Sequence, residues 1–211
     1  MTLLYLCRHG RTASSAVDAF NGRRELPLTA EGVSQARALG ARLRGVRFEA
    51  VYRSPLGRTL QTAAEVVPGA LPIVVPGLTE IDYGEWEGLS PAEARAKDPA
   101  RYAAWESTPS LVGPPGGETI AQVAARALAA VEEIRVRHEG AVLAVSHKAT
   151  LRALGAALTG APLDGYRAQW SQDECALDLF ELRQGRPAFL RLWNDTGHLG
   201  PDPGATTRGG K

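Results

Sequence analysis

Two cysteines, Cys7 and Cys175, are all that the 211 residues contain. That is too few for a disulfide framework and suits a reducing compartment, so a cytoplasmic protein is expected. Lysine is nearly as scarce, at Lys97, Lys148 and Lys211 only. Positive charge therefore rests on arginine, which favours local phosphate binding but at most positions is a compositional bias. The formal net charge is only +1, so no global field points to nucleic acid or an anionic membrane. No apolar run is long enough to span a bilayer. No charged segment followed by an apolar one opens the chain, and no internal repeat is visible. The length suits one compact domain, expected over residues 1–199. The Gly/Pro/Thr-rich stretch 200–211 is expected to be a disordered tail.

What is present is an alternation of strand-like and helix-like segments. Strands are expected over residues 3–7, 48–52, 73–75 and 141–145, with a hairpin over 175–182 and 188–193. Helices are expected over 29–44, after Ser54, over 90–105, and through Ile120, Val123, Ala127, Val131 and Ile134. Ser54 reads as an N-cap with Pro55 at the first helical position, and Ser90 to Glu93 as a capping box. His138 falls at a helix end, where an imidazolium suits the dipole. The alternation predicts an α/β fold: three αβα layers, with a mostly parallel central sheet and helices on both faces.

The chemistry gathers where strands end. The first strand runs into Arg8, His9 and Gly10. A strand's carboxyl end is where an open α/β sheet places its ligand, and glycine lets a backbone approach closely. Those three residues alone also fit a turn with a surface histidine. The second strand runs into Arg53, Ser54 and Pro55, with Arg58 in the following helix. A guanidinium at a helix start adds formal charge to a site that already favours anions. The third ends in Ser146, His147 and Lys148. Glu80, Asp82, Tyr83, Glu85, Trp86 and Glu87 form an acidic, aromatic loop punctuated by Gly84 and Gly88. Cys7 reads either as a reactive thiol or as a small buried apolar residue.

Taken in order, Arg8-His9-Gly10, Gly22 to Thr29, Ser54-Pro55-Leu56 with Arg58-Thr59 and Gln61-Thr62-Ala63, Glu80 with Tyr83-Gly84, Gly116-Gly117-Glu118 and Ser146-His147 resemble the histidine phosphatase superfamily, the cofactor-dependent phosphoglycerate mutase-like family. The resemblance covers nearly the whole chain. It implies that His9 is a nucleophile forming a phosphohistidine, which water then hydrolyses. It implies that Arg8, Arg58 and His147 surround the transferring phosphoryl group, and that Glu80 is the general acid. No metal or cofactor is called for, and no spacing of histidines and carboxylates suggests a metal site.

Several positions depart from the family pattern. Ser15 stands where asparagine is frequent, and Asn21 where glutamine or serine is common. Arg11 follows the Arg-His-Gly triplet in place of Glu or Gln. Lys148 replaces a glycine and reads as a rim cation or a solvated residue. Arg23 reads as a substrate contact or a surface loop arginine. His198 resembles a carboxyl-terminal segment of some small-substrate phosphatases. Ser15, Asn21, Gly22, Arg23, Lys148 and His198 are therefore candidate substrate contacts beside Arg8 and Arg58. The expected activity is that of a phosphoric monoester hydrolase acting on a small phosphomonoester metabolite, as a monomer or homodimer without nucleic acid or membrane. Family mutases carry a longer insert after the acidic loop than residues 88–117 provide, and an insert that excludes water would protect a phosphohistidine. The alternatives are the mutase and a non-catalytic phospho-ligand binding module, although neither nucleophile nor acid is missing.

Overall fold

The computed structural model describes residues 1–13 and 19–200. Ser15 and the expected tail beyond Gly200 lie outside the described residues. Among the described residues six strands form one sheet: β1 (Thr2–Arg8), β2 (Phe48–Arg53), β3 (Ile73–Val74), β4 (Ala141–Ser146), β5 (Leu177–Leu182) and β6 (Phe189–Asp195), in the order β3-β2-β4-β1-β5-β6. β3, β2, β4 and β1 pair in parallel, while β5 lies antiparallel to β1 and β6 antiparallel to β5. The sheet is thus mixed, parallel through its centre with an antiparallel hairpin at one side.

Strand alternation divides the core in two. Leu4, Leu6, Tyr52, Val142, Ala144 and Phe180 face α5 (Ile120–Arg137) and α6 (Lys148–Thr159). Cys7, Val51, Leu143, Val145 and Leu177 face α1 (Ala30–Leu43) and α2 (Gly57–Val66). This is the three-layer arrangement expected. The periodic residues Ile120, Val123, Ala127, Val131 and Ile134 are all buried on α5, whose first turn carries a Thr119–Gln122 capping box. Among the described residues no helix is long and apolar enough to cross a membrane.

Two local expectations need correction. The helix expected over 90–105 is two helices, α3 (Pro91–Lys97) and α4 (Pro99–Ser107). Pro99 lacks an N–H and drives the preceding residue out of helical geometry. Asp98 accordingly has φ −148° and ψ 84°, and its side chain caps the second helix by accepting from the Arg101 amide. The capping box at Ser90 and Glu93 does form. Both helices cover an aromatic cluster of Phe20, Trp86, Tyr102 and Trp105. The second correction is Ser54, which is not an N-cap: α2 starts at Gly57 after an extended Leu56. The Ser54 hydroxyl is held by a histidine ring described below.

β1, β2 and β4 run in the same direction, so Arg8, Arg53 and Ser146 bring their carboxyl ends to one edge of the sheet. The chain beyond each end builds the site.

Candidate active site

The cleft at that edge has a volume of about 550 Å³ and is lined by Arg8, His9, Arg58, Glu80 and Lys148, among others. His9 continues β1 toward β4, its amide donating to the Ser146 carbonyl at 3.0 Å. The residue is 7% exposed, and Nδ1 lies 2.8 Å from the carbonyl oxygen of Gly10. A carbonyl only accepts, so the proton sits on Nδ1 and Nε2 keeps its lone pair. Burial lowers the His9 pKa well below the usual histidine range, and the cations of Arg8 and Arg58 lower it further. The ring is a neutral, oriented nucleophile.

Arg58 is 3% exposed and anchored on three sides. Nε donates to His147 Nδ1 at 3.2 Å, and the two terminal nitrogens donate to the carbonyls of Arg24 and Gly22, each at 2.8 Å. A guanidinium has five N–H donors, so two remain for a ligand. Gly22 makes its carbonyl available from φ +42°, a conformation that favours glycine. The resemblance implies that His147 surrounds the phosphoryl group. In this structure both its ring nitrogens are already engaged, Nδ1 by Arg58 and Nε2 by the Ser54 hydroxyl at 2.7 Å. Since arginine only donates, His147 Nδ1 accepts and the ring is neutral, as burial and the Arg58 charge also favour. Its ring centroid lies 5.2 Å from that of His9.

Arg8 donates to the Gln172 carbonyl at 2.7 Å and to Glu174 at 2.9 Å. Its Nε is buried with no hydrogen-bond acceptor among the described residues. Glu80, 8% exposed, is seated on the first turn of α6: its carboxylate accepts from the amides of Ala149 at 3.2 Å and Thr150 at 3.1 Å, and from the Thr150 hydroxyl at 3.1 Å. These contacts fix its rotamer at the cleft wall. The other loop carboxylates are engaged elsewhere. Glu85 pairs with Lys97, Asp82 with Arg23, and Glu87 accepts from the Arg23 amide.

Of the remaining candidates, Asn21, Gly22 and Lys148 line the cleft. Arg23 and His198 do not line it. Arg23 turns to Asp82 and Glu118, both at 3.2 Å, because the acidic loop offers two carboxylates beside it. His198 lies 3.0 Å from the Cys175 carbonyl. Cys7 and Cys175 are both buried, and burial pushes the Cys7 thiol up, away from the reactive thiolate. His138 ends α5 as expected, its ring between Glu49 at 3.0 Å and the Tyr52 hydroxyl at 2.7 Å.

The cleft also holds residues to which sequence reasoning gave no role: Tyr83, Arg152, Tyr166, Arg167, Asp173 and Glu174. For Arg152 a signal existed, since it lies four residues beyond Lys148 and so on the same helix face. Glu174 and Asp173 sit in an irregular segment with no periodicity to read.

The sequence model of the histidine phosphatase superfamily (branch 1) matches residues 4–196. Phosphoserine phosphatase 1 of Hydrogenobacter thermophilus is 33% identical over 95% of this chain and 95% of its own length. A protein named 2,3-bisphosphoglycerate-dependent phosphoglycerate mutase, from Methylobacterium sp. strain 4-46, is 35% identical over 92% of this chain and 93% of its own. The solved structure of Bacillus stearothermophilus YhfR superposes with a TM-score of 0.87 at 36% identity, covering 94% of this chain and 100% of that one.

Proposed function

Because the chain belongs to the histidine phosphatase superfamily (branch 1), we propose that it hydrolyses a small phosphomonoester through a phosphate carried on His9. The observation that carries this reading is the Nδ1–H of His9 held by the Gly10 carbonyl at 2.8 Å, which leaves Nε2 unprotonated on a ring that feels the charges of Arg8 and Arg58. Nε2 forms a bond to phosphorus as the bond to the ester oxygen breaks. Arg8, through its unpartnered Nε, and Arg58, through its two remaining N–H groups, meet the charge on the phosphoryl oxygens. Glu80 gives its proton to the departing alkoxide, then accepts one from the water that attacks the phosphohistidine. His147 acts here by holding Arg58 in place. The reading carries with it a small-molecule substrate and no nucleic-acid partner, consistent with a net charge of +1, and a cytoplasmic enzyme acting as a monomer or homodimer.

The similarity to a protein named as a mutase favours a second reading, in which a second alcohol rather than water takes the phosphate. Partitioning separates the two: with a phosphomonoester and a competing alcohol present, the hydrolase releases inorganic phosphate as its main product and the mutase returns a phosphate ester. For the hydrolase, phosphate release from p-nitrophenyl phosphate should continue in excess chelator, because guanidinium groups supply the positive charge. Loss of turnover in chelator, regained on adding magnesium, contradicts this account.

A further inference from the structure

Glu118, in the Gly116-Gly117-Glu118 stretch, and Arg126 do not line the cleft, and the mechanism above uses neither. Both are nevertheless bound to the segment that carries Glu80. Arg126 lies on α5. One of its terminal nitrogens donates to the carbonyls of Gly77 at 2.8 Å and Thr79 at 2.6 Å, and the other to the carbonyl of Glu80 itself at 3.2 Å. Its Nε and that second terminal nitrogen also donate to the two carboxylate oxygens of Glu118, at 2.9 and 3.0 Å. All five N–H donors of the guanidinium are thereby used. Glu118 in turn accepts from the Asp82 amide at 3.0 Å, while its own amide donates to the Asp82 carbonyl at 2.9 Å. The pair grips the chain on both sides of Glu80.

The segment needs such a grip because it has no ladder of its own. It leaves a 3-10 turn at Pro76–Leu78 and continues through Tyr83 without helix or strand, so its carbonyls turn to side-chain donors. Leu78 meets the Ser146 hydroxyl and Thr79 also meets the Thr150 hydroxyl, each at 2.7 Å. Gly77 and Glu80 are met by Arg126. The Glu80 carboxylate is seated separately on the first turn of α6. Two helices therefore hold the acid, α5 by its backbone and α6 by its carboxylate. Burial alone would raise the Glu118 pKa, but hydrogen bonds from Arg126 and the Asp82 amide, with the charges of Arg126 and Arg23, hold it below the usual carboxylate range. The Glu118–Arg126 pair is thus ionised at neutral pH, and its hydrogen bonds are charge-assisted.

We infer that Arg126, together with Glu118, is a positioning residue for proton transfer: it fixes the backbone from which Glu80 reaches the leaving oxygen, without touching the substrate. The inference rests on the reading of Glu80 as general acid. Misplacing a reacting group by about 1 Å can cost roughly 10²-fold in rate, and here the loss falls on the step in which an alkoxide departs.

The test is single-turnover phosphorylation of His9 by an alkyl phosphate, glycerol 3-phosphate, and by an aryl phosphate, p-nitrophenyl phosphate. It compares the native enzyme, Arg126→Lys, Glu118→Gln and Glu80→Gln, with the first two substitutions also combined with the third. Lysine keeps the charge but not the fork that spans several acceptors. Glutamine at 118 keeps the shape and an acceptor oxygen, so this variant carries the test where Arg126→Lys fails to fold. Arg126→Lys should slow glycerol 3-phosphate roughly 10–10²-fold and p-nitrophenyl phosphate by a much smaller factor, and Glu118→Gln should show the same preference to a lesser degree. Neither should slow a protein that already carries Glu80→Gln by more than about twofold, because groups that act as a unit are not additive. A purely structural brace slows both substrates alike and slows the Glu80→Gln protein by the same factor as the native enzyme; either result, or native kinetics in every variant that folds, overturns the inference. Glu80→Gln is read by itself: without leaving-group dependence there, the acid reading fails and the inference with it, whereas dependence there but in neither other variant overturns the positioning role alone.

Discussion

His9 attacks only through a ring nitrogen that carries no proton, and its surroundings keep that nitrogen free. Burial and two neighbouring guanidiniums lower its pKa well below the usual range. The sign follows directly: the protonated form gains population only at pH values below about 6.5, the unperturbed value. Single-turnover phosphorylation should therefore keep its rate as pH falls through 6.5, once the substrate's own ionisation is allowed for, and Arg58→Gln should move the acid limb upward. An acid limb in the native enzyme centred at or above 6.5, following His9 by NMR, contradicts the assignment. Glu80 gives a second prediction at this scale. An alkoxide leaving group needs a proton far more than a phenolate does. Glu80→Gln should slow phosphorylation by alkyl phosphates roughly 10²–10⁴-fold, and by aryl phosphates less. Equal slowing of both, or stronger leaving-group dependence in Glu85→Gln, means that the acid has been misassigned.

The elements show how tightly the loop after β1 is built. Gly10 was expected to let a backbone approach a ligand; the backbone that approaches is the protein's own. A Cβ on Gly10 would stand 2.4 Å from the Gly32 carbonyl oxygen at the start of α1. Gly10→Ala should cost about 1–3 kcal/mol, the range for overpacking, seen as a lower denaturant midpoint. It should also lower activity, since the Gly10 carbonyl orients His9. A variant of native stability and full activity would show that this loop gives easily. Much of this level was legible in the sequence, and for identifiable reasons. The α5 stripe and the capping box at Ser90 are local patterns, so periodicity and spacing suffice. Ser54 fits an N-cap by local pattern, but its hydroxyl is claimed by His147, 93 residues away in the chain, and α2 starts at Gly57. The break at Asp98 comes from Pro99, which stands in a stretch of helical composition on both sides. Local sequence does not decide the place of Arg23, because its partners Asp82 and Glu118 lie in other segments of the chain.

At the scale of the whole molecule, the antiparallel hairpin supports the catalytic edge through a buried acid. Asp178 on β5 is 0% exposed. It accepts from the Gln172 side chain at 3.0 Å and the Asn194 amide at 2.7 Å, and Gln172 in turn holds Arg8 through its carbonyl. Burial pushes the Asp178 pKa up to about 7. The native protein thus binds a proton that the unfolded chain, with an ordinary value near 3.9, releases. Its carboxyl costs stability progressively as pH rises from about 4 to about 7, and the cost levels off above that. Asp178→Asn should therefore gain stability relative to the native protein as pH rises through this window, by several degrees in Tm at about 2–4 °C per kcal/mol. A Tm difference that is flat or opposite in sign across the window contradicts the raised value. Nothing local marks Asp178, a carboxylate in an apolar alternation, as the support of an arginine on the neighbouring strand; only the β1–β5 register brings it there. The central claim remains the covalent one, and the most direct measurement is rapid quench of the enzyme with a phosphomonoester into alkali, followed by mass spectrometry of the peptide containing His9. Phosphate on His9, formed at least as fast as steady-state turnover and absent from His9→Ala, is the predicted result; turnover that proceeds undiminished in His9→Ala, or phosphate found on another residue, would contradict it.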